Sequence, residues 1–209
     1  MSYDERDAAM DEFYERIGSE LYPEHKQQAI EEFTAEKLRS FYIQHPDVMR
    51  PAVDAVQETR ALLVAKRYAP ALVFAASSAE LLLKETLLRP VVYGLFHNEA
   101  LAEIVVDQLF QRKTAIETYE KLLARLFETL TKIKLGDIQR EGAAKTLMEE
   151  AKALQGHRNR ILHRGVACTP EEAETANSVA VAIYDQIARP MLGALNLIVG
   201  ERGVFEPRR

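Results

Sequence analysis

The stretch that decides the fold is residues 69–88, which read APALVFAASSAELLLKETLL. It contains most of a charge-free run of twelve residues, Tyr68–Ala79. Apolar residues occupy nearly the whole circumference of the helix that this stretch predicts, which is typical of a helix buried inside a bundle. Ser77, Glu80 and Lys84 fall within about 60° of one another at 3.6 residues per turn. They therefore predict one polar seam along an otherwise buried helix.

The composition indicates one globular chain of 209 residues, with 47% apolar residues, 28% charged residues and a net charge of −5. Residues 1–36 carry eleven acids and three bases, whereas residues 132–164 carry eight bases and four acids. The single cysteine, Cys168, excludes a disulfide scaffold and suits a reducing compartment, so we expect a cytoplasmic protein. No apolar leader follows Met1, and twelve uncharged residues are fewer than the roughly 20 that cross a bilayer. We therefore expect no membrane association.

Helical periodicity without sustained strand alternation predicts an all-α fold. Three parts are expected: an acidic N-terminal helical hairpin over 1–46, a helical bundle over 47–200 and a frayed tail over 201–209. Within the bundle, helices are expected over about 51–66, 69–88, 99–112, 114–133, 137–164 and 170–190. Asp137 is the expected N-cap of the fifth of these helices, Thr169 is that of the last, and Pro190 is expected to kink or break the last helix.

A second informative segment is residues 155–165, QGHRNRILHRG. The apolar stripe that runs through Leu154 and Ile161 passes through position 158, so Arg158 occupies a place that the pattern reserves for the core. Burying a guanidinium costs several kcal/mol unless it is paired. Either Arg158 meets a carboxylate, for which Glu80 is the best candidate within the chain, or this stretch faces a solvated cleft or a second subunit.

His163 follows Arg158 by five residues, which is about 7.5 Å along a helix axis. It falls in the last turn before Gly165, where the helix dipole favours the imidazolium. Histidine transfers protons near neutral pH, and the arginine fork binds two phosphate oxygens. Arg158, His163 and the adjacent Asn159 thus form a minimal set for handling a phosphodiester.

Residues 158–163, RNRILH, resemble the R-x4–6-H motif of HEPN domains, in which a polar residue such as Asn159 commonly follows the arginine. Residues 75–84, AASSAELLLK, resemble the early core helix of that family, and the order of helices agrees over roughly residues 50–200. The resemblance implies an up-and-down bundle of four to five helices. It also implies that Arg158, Asn159 and His163 are the catalytic residues of a composite site at a two-fold dimer interface.

Many HEPN members are metal-independent endoribonucleases, often toxins or phage-defence effectors, and others are non-catalytic binding modules. The branch paired with nucleotidyltransferase antitoxins has a tyrosine two residues after the histidine, where this chain has Gly165, so membership of that branch is disfavoured. We therefore expect an endoribonuclease that acts on RNA without metal or cofactor. We also expect a homodimer formed through the 144–165 helix, and an antitoxin or defence protein as a further partner.

Six residues are expected to bind substrate or support the site: Glu80, Lys84, Ser77, His157, Arg160 and Arg164. Two alternatives stay open. One is a non-catalytic HEPN-type module that binds nucleotide, RNA or a partner protein. The other is a purely structural helical dimer in which Arg158 is buried against Glu80.

Overall fold

The computed structural model describes residues 35–90 and 116–208, and these residues are predominantly helical. The predicted all-α class is therefore confirmed. The helix predicted over 99–112 and the predicted N-terminal hairpin up to residue 34 lie outside the described residues. The α-helices are α1 (residues 35–44), α2 (Arg50–Val64), α3 (Tyr68–Leu81), α4 (Ile116–Thr131), α5 (Leu147–Arg164), α6 (Pro170–Ile183) and α7 (Arg189–Ala194). A short antiparallel pair of strands, β1 (Leu197–Val199) and β2 (Phe205–Pro207), follows α7. No helix in the described ranges is long and apolar enough to cross a membrane.

The central helix of the bundle is α3, as the sequence predicts, and it packs against α2, α5 and α6. Its apolar side chains, among them Leu72, are almost fully buried. The helix continues as a π-helical segment, Leu82–Leu88, which the sequence does not predict. Within this segment the carbonyl of Thr86 accepts a hydrogen bond of 2.6 Å from the buried hydroxyl of Tyr42 on α1. The segment thereby joins α1 to the centre of the bundle.

Helix α5 begins at Leu147, so the prediction that it begins at Asp137 is wrong. Asp137 instead ends a short 3-10 turn, Leu135–Asp137. The N-cap of α5 is Thr146, whose hydroxyl accepts from the backbone N–H of Glu149 while the Glu149 carboxylate accepts from the Thr146 N–H. This reciprocal capping satisfies two N–H groups that a helix start otherwise leaves unpaired.

The N-terminal boundary predicted at residue 46 does not separate α1 from the bundle. Leu38 and Tyr42 are both 2% exposed and belong to the same hydrophobic core as Leu72 and Leu83 of the central helix. Because these side chains lose their contact with water only against the rest of the bundle, residues 35–44 pack as part of it.

The C-terminal residues, predicted to form a frayed tail, are ordered by strand pairing. Leu197 pairs with Pro207, and Val199 pairs with Phe205. Phe205 is buried with its ring edge-on to Tyr42, at a centroid distance of 4.9 Å. The hairpin therefore covers the same end of the core that α1 covers, and residues 201–207 belong to the folded body.

The break predicted at Pro190 takes a milder form. Helix α6 leads through a π-helical segment, Tyr184–Ala188, directly into α7, and Pro190 lies in the first turn of α7. The chain therefore stays helical through Pro190 rather than breaking there.

Candidate functional site

An ionic cluster lies where the end of α3 meets the second half of α5. Glu80 stands between two cations: its Oε1 is 2.6 Å from Nζ of Lys84, and its Oε2 is 2.5 Å from Nη1 of Arg158. The side chains of Lys84, Glu80 and Arg158 are 9%, 24% and 19% exposed. The pairing that the sequence predicts for Arg158 and Glu80 is therefore present. In this cluster Lys84 and Arg158 share the Glu80 carboxylate.

Asn159 holds the other edge of the Arg158 guanidinium. Its Oδ1 accepts from Nε at 3.3 Å and from Nη2 at 3.2 Å. An arginine has five N–H donors in a planar fork. Glu80 and Asn159 engage three of them, so two donors on Arg158 make no hydrogen bond with the described residues.

The surroundings of Glu80 hold it in the ionised form. Burial disfavours the charged carboxylate, but hydrogen bonds from Lys84 and Arg158, together with their positive charge, outweigh that effect. The net result is a pKa of Glu80 below its ordinary value. At neutral pH the cluster is thus an ion triplet rather than a neutral hydrogen-bonded group.

His163 lies on a different side of α5. Five residues at 100° each turn the helix by about 140° from Arg158, so the two side chains leave the axis in nearly opposite directions. His163 is exposed in the last turn of α5, which ends at Gly165 in the left-handed conformation with φ of 62°. Within one chain, the structure therefore does not bring His163 and Arg158 into a common cleft.

Ser77 does not join the cluster, although the sequence places it on the same seam. Its hydroxyl donates to the Val73 carbonyl of its own helix at 2.9 Å. That hydrogen bond satisfies the hydroxyl locally, so the predicted seam reduces to Glu80 and Lys84.

The other basic residues of α5 form a second group. His157, Arg160 and Arg164 recur at steps of three and four, so they share one side of the helix. His157 and Arg160 line a groove of about 400 Å³ between α5 and α6, whereas Arg164 is exposed beyond it. The groove also exposes side chains that the sequence analysis did not single out, namely Lys145, Glu150, Glu171 and Glu172.

Charges of both signs balance one another in this groove. Nε2 of His157 is 3.7 Å from Oε1 of Glu172. Glu150 forms a bidentate salt bridge with Arg140, with N–O distances of 2.6 and 2.8 Å. Glu172 also closes the reciprocal N-cap of α6 with Thr169, as the Thr-x-x-Glu spacing indicates. The groove consequently has no strong preference for one sign of ligand.

Neither a metal centre nor an activated thiol appears among the described residues. No group of three or more His, Cys, Asp or Glu side chains in residues 35–90 and 116–208 could hold a metal ion. Burial, together with the neighbouring Glu172 carboxylate, raises the pKa of the Cys168 thiol to about 11. Cys168 is therefore a protonated, packed residue at neutral pH rather than a nucleophile.

The described residues thus define a predominantly helical bundle with a carboxylate-bridged ionic cluster between α3 and α5. Comparisons of the chain with protein-family models, with curated proteins and with solved structures found no match.

Proposed function

We propose that this protein is an endoribonuclease of the HEPN type that uses Arg158 and His163. The observation that carries the proposal is the state of Arg158. Its guanidinium is fixed on two edges by Glu80 and Asn159, and it keeps two N–H donors free. A pre-oriented fork of this kind suits the two non-bridging oxygens of a phosphodiester.

The proposed reaction needs a proton acceptor, a proton donor and a group that neutralises charge on phosphorus. The RNA 2′-oxygen forms a bond to the adjacent phosphorus as its proton passes to a base, and the bond from phosphorus to the 5′-oxygen breaks. A general acid protonates the leaving 5′-oxygen. The products are a 2′,3′-cyclic phosphate and a 5′-hydroxyl. His163 supplies the proton transfer, and Arg158 stabilises the charge that develops on the phosphoryl oxygens.

A two-fold homodimer supports this reaction better than a single chain does. One His163 cannot act as base and acid in the same step, and it lies about 140° around α5 from Arg158 of its own chain. A two-fold contact that brings a second His163 beside the first would let one copy accept the proton while the other donates one. Exposed apolar side chains flank His163 and offer a contact surface: Leu162 is 58% exposed and Val166 is 40% exposed.

The direct test is RNA cleavage by purified protein in EDTA. We expect cleavage products that end in a 2′,3′-cyclic phosphate, and a loss of roughly 10²–10⁴-fold in His163→Ala, the usual contribution of general acid–base catalysis. His45→Ala is the matched control, since His45 stacks on Phe41 at the far end of α1. If His163→Ala and wild type cut at equal rates, His163 is not catalytic.

A non-catalytic module is the second candidate, and one observation favours it. The charge of Arg158 is already shared with Glu80, an arrangement that also serves to lock α5 onto α3. In that case the protein would bind RNA, nucleotide or a partner protein without cutting RNA. Filter binding with a labelled single-stranded RNA distinguishes the two: binding that Arg158→Ala weakens, without any product at pH 6 to 9, supports the module.

A further inference from the structure

A cavity lies on the side of the bundle where the C-terminal hairpin meets α2. Its volume is about 270 Å³, and it shares no lining residue with the Glu80–Arg158 cluster. Its floor is formed by apolar side chains from α2, the π-helical end of α3, α6 and β1, namely Met49, Ala52, Val53, Leu82, Val181 and Val199. A small concave site with an aliphatic floor is suited to the apolar body of a small molecule.

The rim of the cavity is polar and cationic. Arg60 of α2 and Arg202 of the hairpin turn both line it, together with Gln57 and the half-buried Tyr184. Burial raises the pKa of the Tyr184 hydroxyl, which is therefore a neutral hydrogen-bond donor at pH 7. The rim thus offers two guanidinium forks and two neutral polar groups above an apolar floor.

Neither rim arginine is neutralised by the rest of the described chain. No carboxylate in residues 35–90 and 116–208 lies within 4.0 Å of the guanidinium of Arg60 or Arg202. The Glu206 carboxylate lies against Gly200, another residue of the cavity lining, but is more than 4.0 Å from both guanidinium groups. Arg158 and Arg140 each bind a carboxylate, whereas Arg60 and Arg202 form no ion pair with the described residues.

The position of Arg202 is fixed by the backbone. Arg202 lies in the left-handed region with φ of 56°, in a turn whose next residue, Gly203, packs directly on Val53 of α2. A Cβ at Gly203 would approach Cγ2 of Val53 to 2.7 Å, so only glycine allows this contact. The close approach sets the Arg202 turn beside α2, on which Arg60 stands.

From these observations we propose that the cavity binds a small anion with an apolar body, its carboxylate or phosphate held by Arg60 and Arg202 and its hydrocarbon part on the aliphatic floor. Arginine forks bind both kinds of oxyanion. Burial of a hydrocarbon chain supplies the remaining free energy, at about 0.8 kcal/mol for each CH₂ group. The site is separate from the proposed nuclease centre, and the binding test requires no RNA.

Isothermal titration calorimetry of the full chain with octanoate, octyl phosphate and 1-octanol tests the proposal. We expect saturable binding of at least one anion at one site per chain, and at least tenfold weaker binding of octanol, which lacks the oxyanion. Whichever of octanoate and octyl phosphate binds more tightly identifies the head group. Raising the salt concentration should weaken the binding of both anions and leave the binding of octanol unchanged.

Arg60→Gln and Arg202→Asn should each weaken anion binding by about tenfold or more, because each removes a charged fork. Asparagine is chosen at position 202 because it tolerates the left-handed conformation. Arg125→Gln, on the exposed side of α4, is the matched control and should bind as wild type does. Val56→Phe, which fills the cavity from α2, should abolish binding; circular dichroism checks its fold.

Equal binding of octanol and octanoate, or unchanged affinity in both arginine variants, would overturn the proposal. So would octanoate binding that persists in a folded Val56→Phe variant, since the anion would then bind elsewhere. If Val56→Phe does not fold, the arginine variants alone decide, because both side chains are exposed.

Discussion

Nη1 of Arg158 and Oε2 of Glu80 lie 2.5 Å apart, although 78 residues separate them in the chain. The contact puts a guanidinium on the side of α5 that Leu147 and Leu154 otherwise fill with buried apolar groups. It therefore ties α5 to the central helix through charge where the neighbouring turns do so through apolar packing. The consequences for stability, titration and chemistry can be measured separately.

Glu80→Ala should lower the free energy of unfolding by about 1–3 kcal/mol, because it removes the carboxylate that the largely buried Lys84 and Arg158 share. Glu80→Gln should lower the free energy of unfolding by a smaller amount, since an amide oxygen can still accept one hydrogen bond. Urea unfolding followed by circular dichroism measures both. Glu58→Ala, an exposed carboxylate on α2, is the control. Midpoints for Glu80→Ala and Glu58→Ala that coincide would mean that the cluster contributes nothing to stability.

The stabilisation by Glu80 should depend on pH in a definite direction. Its pKa in the folded protein lies below the ordinary value of 4.5, so the ionised form is favoured by folding. The difference in unfolding free energy between wild type and Glu80→Gln should therefore be full above pH 4.5. It should shrink as the pH falls toward the folded pKa. Unfolding titrations at pH 7, 5, 4 and 3 measure it; a difference that grows on acidification would reverse the assigned direction.

Arg158→Lys separates the structural role of this residue from the chemical one. A lysine can still pair with Glu80 through one ammonium, so stability should change by less than about 1 kcal/mol. It cannot keep the contact with Asn159 or offer a fork to phosphate, so kcat/KM for RNA should fall at least tenfold. Arg125→Lys is the control. Full activity in Arg158→Lys would show that the fork is not used on substrate.

Assembly is tested at Leu162, which is 58% exposed beside His163. If α5 forms a two-fold interface of at least about 1,000 Å², placing a charge at its centre should dissociate the dimer. Multi-angle light scattering at micromolar concentration should then give a dimer for wild type and a monomer for Leu162→Glu. Ile43→Glu, 50% exposed on α1, should stay dimeric. A monomeric wild type would remove the composite site.

Much of the fold follows from residues 69–88 and from the ends of the helices. The buried rod with a polar seam, and the cap at Thr169, could be predicted because burial and capping each leave a local pattern. The start of α5 predicted at Asp137 is wrong, although Thr146-Leu-Met-Glu149 carries the same capping spacing as Thr169-Pro-Glu-Glu172. A signal for the right start was therefore available.

Other features leave little or no local pattern. The C-terminal strands have three residues each, too few for alternation to be read, and their order comes from packing on α2 and Tyr42. The pairing of Arg158 with Glu80, in contrast, could be predicted, because an arginine in an apolar stripe requires a partner. The cavity beside Arg60 and Arg202 could not, because its walls come from distant segments brought together by folding.

The contact between the hairpin and α2 gives the last prediction, at Gly203. Its φ of +76° is costly for any side chain, by about 1–2 kcal/mol, and its Cβ would press on Val53. Gly142 has a φ of +74° with open space around it, so Gly142→Ala should destabilise the protein only through backbone strain. Gly203→Ala should destabilise the protein further than that, since the hairpin must shift away from α2.

A double-mutant cycle isolates the steric part. Val53→Ala removes the methyl group that the new Cβ would meet, so Gly203→Ala should cost less in the Val53→Ala background than in wild type. The difference should be about 1 kcal/mol or more in urea unfolding, within the range measured for residues in contact. Equal costs of Gly203→Ala in the two backgrounds would show that the hairpin accommodates a side chain without touching Val53. The Arg202 turn would then not be held beside α2 by this contact.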